Sequence, residues 1–213
     1  MNDSPAVKPV RLAALISGGG RTLLNFLAKI DSGELAAEAV GVVASGECAG
    51  VERARAAGLD VQVVSRKNYD SAEEFSAAVT EAVDPFEPEL IALAGFLHLW
   101  RFPVRYAGRV MNIHPALLPS FGGEGMYGHY VHEAVLAAGC KVSGCTVHFC
   151  DDRYDTGPII VQRTAPVLED DTPDTLAARV FQQERIAYPQ AVNLFAAGRL
   201  RIAGRVVHIA PNP

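Results

Sequence analysis

The sequence has few cysteines, and none is spaced as a zinc ligand or a redox pair would be. Four occur in 213 residues, at positions 48, 140, 145 and 150, without a Cys-x-x-Cys pair. This spacing argues against a zinc site and against a dithiol redox motif, and the six histidines lack ligand spacing too. Cys145 and Cys150 would face opposite sides of one strand. We therefore expect no metal and reduced, mostly buried thiols.

The chain also lacks a long apolar run and an excess of positive charge. No stretch approaches the ~20 apolar residues that cross a bilayer, and the N-terminus has no basic segment followed by a long apolar one. The formal net charge is -5, so the concentrated basic patch that binds a phosphate backbone is missing. These absences predict a cytoplasmic protein that binds neither nucleic acid nor membrane.

Apolar runs alternate with amphipathic segments in the first half of the chain. The predicted strands "VRLAALIS", "EAVGVVAS" and "VQVVS" are separated by the predicted helices "TLLNFLAKID" and "VERARAAG". A further helix begins at Ser71, which has Glu74 three residues on as in a capping box, and the strand "PELIALAG" follows. Strands that are apolar along their whole length are buried on both faces, which is typical of a parallel sheet.

The second half predicts a mixed extension of that sheet. The strand "VMNIH" and the helix "YVHEAVLAAG" precede two β-rich runs, "KVSGCTVHFC" and "PIIVQRTAPV". A helix begins in "DTPDTLAARVFQQERIAY" and resumes through "PQAVNLFAAGR", which starts at Pro189, before the hairpin "LRIAGRVVHI". We predict an α/β fold with a doubly wound, mostly parallel central sheet and helices on both faces. One domain would span residues 1–213, with a flexible N-terminus at 1–9.

A glycine-rich turn, "SGGGRTLL", joins the first predicted strand to the first predicted helix. Backbone N–H groups and the positive end of a helix at such a turn suit a phosphate. The turn does not match the dinucleotide fingerprint, because Leu23 stands where the third glycine belongs, and it lacks the Gly-Lys-Ser/Thr of a P-loop. A turn that serves packing alone is the alternative.

Polar residues in a later strand form a second candidate site. Asn112 and His114 project to one face of the strand, while Met111 and Ile113 project to the other. The loop "HFCDDRYDTGP" brings three aspartates, and His148 in the strand before it could face the same pocket. A core histidine and a solvated acidic turn would explain each feature separately, but not both together. No nucleophile elbow is present, so covalent catalysis has no support.

A resemblance to a known family rests on segments between Arg11 and Arg201. They are "LISGGGRTLLN", "LAGFLHLW", "NIHPALLPSF", "GCTVHF" with "DTGPII", and "RVFQQERIAYP". In this order they resemble the phosphoribosylglycinamide formyltransferases, folate-dependent enzymes of purine synthesis. The resemblance implies transfer of a formyl group from 10-formyltetrahydrofolate to the amine of glycinamide ribonucleotide, without metal or covalent intermediate. It also implies a doubly wound sheet with a folate cleft toward its C-terminal half.

The same resemblance implies roles for individual residues. The catalytic trio would be Asn112, His114 and Asp155, with Asp155 raising the pKa of His114 so that an imidazolium and the Asn112 amide stabilise the oxyanion. The amine proton would pass to His114, to Asp155 or to a bridging water. Phosphate and ribose would bind at Gly20, Arg21, Thr22 and Glu184. The pterin would lie against the residues Leu97, His98, Leu99, Trp100, Asn112 and Asp151. Trp100 could equally be a core residue.

Several positions depart from the family pattern. Arg21 and Thr22 replace a Ser-Asn pair in the phosphate loop, Phe181 replaces a polar residue, Ala72 replaces an Arg, and the loop at Gly122–Tyr130 is longer. Other functions therefore stay open. They are a formyltransferase for another amine, a 10-formyltetrahydrofolate hydrolase and a catalytically silent phosphate-binding module. The oligomeric state is expected to be a monomer or a homodimer.

Overall fold

The computed structural model describes residues 8–211, which include one nine-stranded sheet. The strands are β1 (Val10–Ile16), β2 (Ala37–Ala44), β3 (Val61–Val63), β4 (Leu90–Leu93), β5 (Val110–His114), β6 (Val142–Phe149), β7 (Ile159–Pro166), β8 (Leu200–Ala203) and β9 (Val206–Ile209). The helices are α1 (Arg21–Asp31), α2 (Ala49–Ala56), α3 (Ala72–Val83), α4 (His129–Ala137) and α5 (Pro173–Ala196). Residues 1–7, which make up most of the predicted flexible N-terminus, lie outside the described residues.

The strand order of the sheet is β3-β2-β1-β4-β5-β6-β7-β9-β8. β1 to β5 are parallel to one another, and β6 runs antiparallel to both β5 and β7. The C-terminal hairpin joins the sheet through a parallel contact between β7 and β9. The predicted doubly wound, mostly parallel α/β fold with a mixed extension is confirmed.

The winding of the sheet reverses beside β1. β2 and β3 lie on one side of β1, whereas β4 and β5 lie on the other. The chain therefore leaves the carboxyl ends of β1 and β4 in opposite directions, and a crevice opens between the two loops. Ligands of doubly wound sheets bind in such a crevice, which is where the glycine-rich turn after β1 lies.

Alternate residues of β1 pack into different hydrophobic layers. Ala13 and Leu15 belong to a cluster with the α3 side chains Phe75, Val79 and Val83. Leu12 belongs to the layer that holds Phe26 of α1 and the α5 side chains Leu176, Val180 and Tyr188. β1 is thus covered on both faces, which is why it is apolar throughout.

The capping box predicted at Ser71 begins α3. Ser71 Oγ accepts a hydrogen bond from the Glu74 N–H at 3.1 Å, and the Glu74 carboxylate accepts one from the Ser71 N–H at 3.4 Å. The two bonds satisfy backbone donors that a helix start otherwise leaves free. Thr172 and Thr175 make the equivalent reciprocal pair at the start of α5. The capping prediction is therefore confirmed.

α5 continues through Pro189 without a break, which differs from the predicted interruption. Proline has no N–H, so the Arg185 carbonyl one turn earlier loses its helical partner. The side-chain amide of Asn25 in α1 supplies the missing donor, with Nδ2 at 3.0 Å from the Arg185 oxygen. The Arg185 guanidinium donates in return to Asn25 Oδ1 at 3.2 Å. A contact distant in sequence therefore keeps the helix continuous.

The four cysteines are free thiols, as predicted, but only Cys145 is buried and the other three are half-buried. Desolvation raises the pKa of Cys145 to about 12, and it also raises the pKa of Cys150. Such thiols carry little thiolate at neutral pH and are poor nucleophiles. Among the helices of residues 8–211, none is both long enough and apolar enough to cross a membrane.

The Asn25 contact generates a stability prediction. Asn25→Ala should lower the free energy of unfolding by about 1–3 kcal/mol, because the Arg185 carbonyl loses its donor in a partly buried place. In a Pro189→Ala background the new N–H can bond that carbonyl, so the same substitution should cost clearly less. Urea unfolding of the four proteins measures the coupling. An equal cost of Asn25→Ala in both backgrounds would show that the amide does not compensate for the proline.

Candidate active site

A cavity of about 800 Å³ lies at the carboxyl ends of β1, β4 and β5. Its walls are the glycine-rich loop after β1, the loop after β4, the end of β5, the loop before α4 and one face of α5. A smaller recess of about 50 Å³ adjoins it. The two share Phe96, Asn112, Tyr154 and Asp155. Two of the predicted catalytic residues therefore lie at the junction of the two spaces.

The fold brings the predicted catalytic trio together. Asn112 and His114 point from the same face of β5, and Asp155 reaches them from the loop after β6. Asn112 Nδ2 donates to Asp155 Oδ1 at 3.3 Å, and His114 Nδ1 lies 3.4 Å from Asp155 Oδ2. The alternation of side chains along a strand, applied to "NIH", predicted this shared face correctly.

Asp155 is held by an unusual backbone conformation. Its φ is +56°, in the left-handed region that non-glycine residues seldom adopt. The turn that follows needs Gly157, because a Cβ there would collide with the Phe149 carbonyl oxygen. The Gly123 N–H donates to Asp155 Oδ2 at 3.0 Å and fixes the carboxylate from the opposite side. A strained residue supported in this way is typical of a functional site.

The environment of His114 corrects one expectation. Burial lowers the pKa of His114 by more than Asp155 and the Phe121 carbonyl raise it, so the net direction is downward rather than upward. The ring is nearly fully buried, at 3% exposure, and desolvation penalises its charged form. His114 Nε2 lies 2.7 Å from the Phe121 carbonyl oxygen, which only an N–H can satisfy. The neutral ring therefore carries its lone pair on Nδ1, beside Asp155.

His148 completes the cluster, as the strand alternation of β6 suggested. Its Nδ1 donates to the Phe149 carbonyl at 2.8 Å, and its Nε2 lies 3.2 Å from Asn112 Nδ2. The same Nε2 is 3.6 Å from Asp155 Oδ1. Burial alone would raise the pKa of Asp155, but His148, His114 and the Gly123 N–H together lower it below its ordinary value. Asp155 is therefore ionised at neutral pH.

The glycine-rich turn has the geometry of an anion cradle. Gly20 has a φ of +69° and precedes the first residue of α1, with no side-chain cap on the helix start. The first backbone bond into α1 runs from Leu24 N–H to the Gly20 carbonyl, so the earlier N–H groups of the first turn have no helical partner. The turn packs against α2, where the Gly50 N–H donates to the Gly18 carbonyl at 3.0 Å. It lines the larger cavity together with Arg21 and Thr22.

Glu184 faces this turn from α5. It lines the larger cavity, and desolvation raises its pKa to about 7 even though the charge of Arg21 acts in the other direction. The predicted phosphate and ribose residues, Gly20, Arg21, Thr22 and Glu184, thus line one end of the cavity. The Arg21 guanidinium also lies 4.3 Å from the ring centre of Phe181, one turn before Glu184.

The predicted pterin residues divide between the two spaces. The half-exposed Leu97 lines the larger cavity, whereas His98, Leu99, Trp100 and Asp151 line the recess. Trp100 is also a core residue, because its indole N–H donates to the Ser76 carbonyl at 3.2 Å and it is 3% exposed. The Asp151 carboxylate accepts from the Thr156 hydroxyl at 2.7 Å. The wall is therefore largely preformed.

Sequence reasoning missed two residues of the site. The Tyr154 hydroxyl accepts a hydrogen bond from the Leu99 N–H at 2.9 Å and so ties the loop after β4 to the loop of Asp155. His132, on α4, lines the larger cavity with an unpartnered Nδ1, and burial lowers its pKa to about 4. The i, i+3 spacing of His129 and His132 is a weak signal, since such spacing is common on helices. Nothing in the sequence marked Tyr154.

No group of three or more His, Cys, Asp or Glu side chains within residues 8–211 is arranged to hold a metal ion. The site offers instead a buried carboxylate, two imidazoles and an amide at the meeting point of two binding spaces. This combination suits proton transfer beside a polarised carbonyl.

Two named relatives resemble the chain over most of its length. The phosphoribosylglycinamide formyltransferase of Escherichia coli (strain K12) is 33% identical over 196 residues, which are 91% of this chain and 90% of that protein. The trifunctional purine biosynthetic protein adenosine-3 of Gallus gallus is 39% identical over 202 residues, which are 92% of this chain. The chain spans about a fifth of that trifunctional relative, 20% of its length.

A solved structure gives the same result. Glycinamide ribonucleotide transformylase 1 from Symbiobacterium toebii superimposes with a TM-score of 0.88 and 39% identity, covering 95% of each chain. The family model described as formyl transferase matches residues 10–192, from β1 almost to the end of α5. The chain therefore belongs to the formyl transferase family.

Proposed function

We propose that the protein transfers a formyl group from 10-formyltetrahydrofolate to the amine of glycinamide ribonucleotide, a step of purine biosynthesis. The observation that carries the proposal is the cluster of Asn112, His114 and Asp155 at the junction of the larger cavity, which the glycine-rich turn lines, and the adjoining recess. Relatives named for this reaction, at 33% and 39% identity, support it.

The ribonucleotide would occupy the larger cavity. Its phosphate would lie at Gly20, Arg21 and Thr22, where helix N–H groups and a guanidinium face the space. Glu184 lies one side chain further along and would bond a ribose hydroxyl, as an acceptor when ionised or as a donor when protonated. The glycinamide arm would then extend toward Asp155 at the other end of the cavity.

The folate would bring its pterin into the recess. Leu99, Trp100 and Phe96 offer apolar surface there, and the backbone of residues 97–100 and 151–155 offers hydrogen-bond groups. The Tyr154–Leu99 bond holds these two backbone segments together. The folate nitrogen that carries the formyl group would then lie near Asn112, which lines both the larger cavity and the recess.

The reaction forms a bond between the amine nitrogen and the formyl carbon, and it breaks the bond from that carbon to the folate nitrogen. Negative charge develops on the formyl oxygen, so an Asn112 N–H that turns from Asp155 or His148 toward this oxygen would stabilise the tetrahedral adduct more than the substrate. The amine loses a proton as the bond forms. The low pKa of His114 provides a free lone pair on Nδ1, beside the ionised Asp155.

Asp155 has two effects on this proton. Its charge stabilises the imidazolium that forms when Nδ1 accepts the proton, and the pair can later return a proton to the leaving folate nitrogen. Acceptance by Nδ1, by Asp155 itself or through a bridging water are three routes within this geometry. When Nδ1 accepts the proton, directly or through the water, the imidazolium is a product of the attack rather than a preformed donor.

The other properties expected from the sequence stay predictions. They are a cytoplasmic location, one formyltransferase domain over residues 1–213, and a monomer or homodimer. A single assay distinguishes the proposed function from its rivals. These are a transferase for a different amine, a hydrolase of the formyl folate and a silent binding module.

That assay follows deformylation of 10-formyltetrahydrofolate with and without glycinamide ribonucleotide. We expect turnover only when the ribonucleotide is present, with one formylated product for each folate consumed. Equal turnover without the amine would identify a hydrolase. Turnover restricted to another amine would identify a different transferase, and no turnover at all would leave a binding module.

The catalytic cluster makes a second prediction. His114→Ala and Asp155→Asn should each lower kcat by at least ~10²-fold, as expected for loss of an acid–base or charge-stabilising group. Folate binding, measured by fluorescence titration, should change little. His208→Ala, in the exposed hairpin, is the matched control. A variant that keeps normal kcat in single-turnover experiments would remove its residue from the mechanism.

Glu184 makes a prediction about pH. Its pKa is near 4.5 when unfolded and about 7 when folded, so between these values the folded protein binds the extra proton. The free energy of unfolding should therefore fall by about 1–3 kcal/mol through this group as pH rises from about 4.5 to 7. Glu184→Gln should remove that decrease, whereas Glu38→Gln, at an exposed position of β2, should not. Urea unfolding at pH 5 and 8 measures it, and identical pH profiles for all three proteins would contradict it.

A further inference from the structure

Arg21 occupies a place that its charge does not favour. It is the first residue of α1, at the positive end of the helix, and the first turn contains no acidic residue to offset it. Its side chain is exposed toward the larger cavity. A cation at such a position is destabilising unless another group compensates for it.

One face of the Arg21 guanidinium is covered by an aromatic ring. The guanidinium carbon lies 4.3 Å from the centre of the Phe181 ring, within the distance at which a cation is attracted to a π-system. Phe181 belongs to α5 and lines the same cavity. The contact therefore bridges the glycine-rich turn and the helix across the cavity.

The edge of the guanidinium is free. Within residues 8–211, Arg21 makes no hydrogen bond and has no carboxylate within ion-pair distance. Glu184 is nevertheless near enough for the charge of Arg21 to lower its pKa. Stacking uses the face of the planar group and leaves its in-plane N–H donors available. Those donors lie at the same end of the cavity as the unpartnered N–H groups of the first turn of α1.

We propose that Phe181 is a positioning residue, which holds Arg21 so that the guanidinium edge and the glycine-rich turn bind one phosphate group. The inference rests on the proposed function for the identity of the substrate, and it adds a residue that the resemblance marked only as a departure. A ring that orients the guanidinium in advance lowers the loss of side-chain freedom on binding. Arg21 and Phe181 thus act as one unit in place of a neutral polar loop.

A double-mutant cycle tests the unit with two readouts. These are the KM for glycinamide ribonucleotide and the concentration of inorganic phosphate that gives half-maximal protection against thermal unfolding. Arg21→Ala should raise both about ten-fold, through loss of a charged hydrogen bond. Phe181→Leu should raise both about three- to five-fold, through loss of the stacking. In the Arg21→Ala background, Phe181→Leu should have no further effect.

Conservative variants separate positioning from packing. Phe181→Tyr keeps the ring and should stay within about two-fold of the parent, whereas Arg21→Lys keeps the charge without the planar face. In the Arg21→Lys background, phosphate binding should therefore be the same with Phe or Leu at position 181. Controls on the same helices are Lys29→Ala at the far end of α1 and Phe195→Leu near the end of α5.

Three outcomes would overturn the proposal. Phe181→Leu could leave both readouts unchanged, change them equally with and without Arg21, or change kcat alone. Folding defects in Phe181→Leu do not block the test, because Phe181→Tyr and Arg21→Lys carry it independently. If the parent protein formylates no ribonucleotide but phosphate protection still shows the coupling, the proposed function fails and the positioning role stands.

Discussion

Asp155 carries a negative charge in a place from which water is largely removed, and its neighbours come from three other parts of the chain. Asn112 and His114 reach it from β5, His148 from β6 and the Gly123 N–H from the loop before α4. An unpaired carboxylate there would be strongly destabilising. Because the Asn112 amide and the Gly123 N–H donate to the carboxylate and offset part of this cost, their positions follow from the same requirement that keeps Asp155 ionised. The geometry of the site is therefore a consequence of burying one charge.

The sheet topology explains why these parts meet. Reversal of the winding beside β1 leaves the ends of β1 and β4 open, and β5 adds its polar residues next to them. The antiparallel β6 then brings Asn112 opposite His148 in register, so their side chains share one face. The loop after β6 returns Asp155 over that face.

Much of this arrangement could be predicted from sequence, because the signals are local. Fully apolar strands indicated the parallel sheet, the Ser71–Glu74 spacing indicated the start of α3, and the alternation in "NIH" put Asn112 and His114 on one face. The continuous helix through Pro189 was not predictable in this way, since its missing donor comes from Asn25 in a distant helix. The role of Tyr154 was not predictable for the same reason, because its hydrogen-bond partner Leu99 is far away in sequence.

Asp155 acts on the pKa of His114 in the expected direction, but burial outweighs it, so the expected imidazolium was wrong. A carboxylate neighbour can be inferred from a motif, but the extent of burial depends on packing from every side. A similar effect operates at Glu184, where desolvation outweighs the nearby charge of Arg21 and raises the pKa to about 7. A fully ionised Glu184 would neutralise Arg21 and repel a phosphate. Because desolvation raises its pKa, Glu184 opposes the positive charge of Arg21 less than an ordinary carboxylate would, and this favours an anion at this end of the cavity.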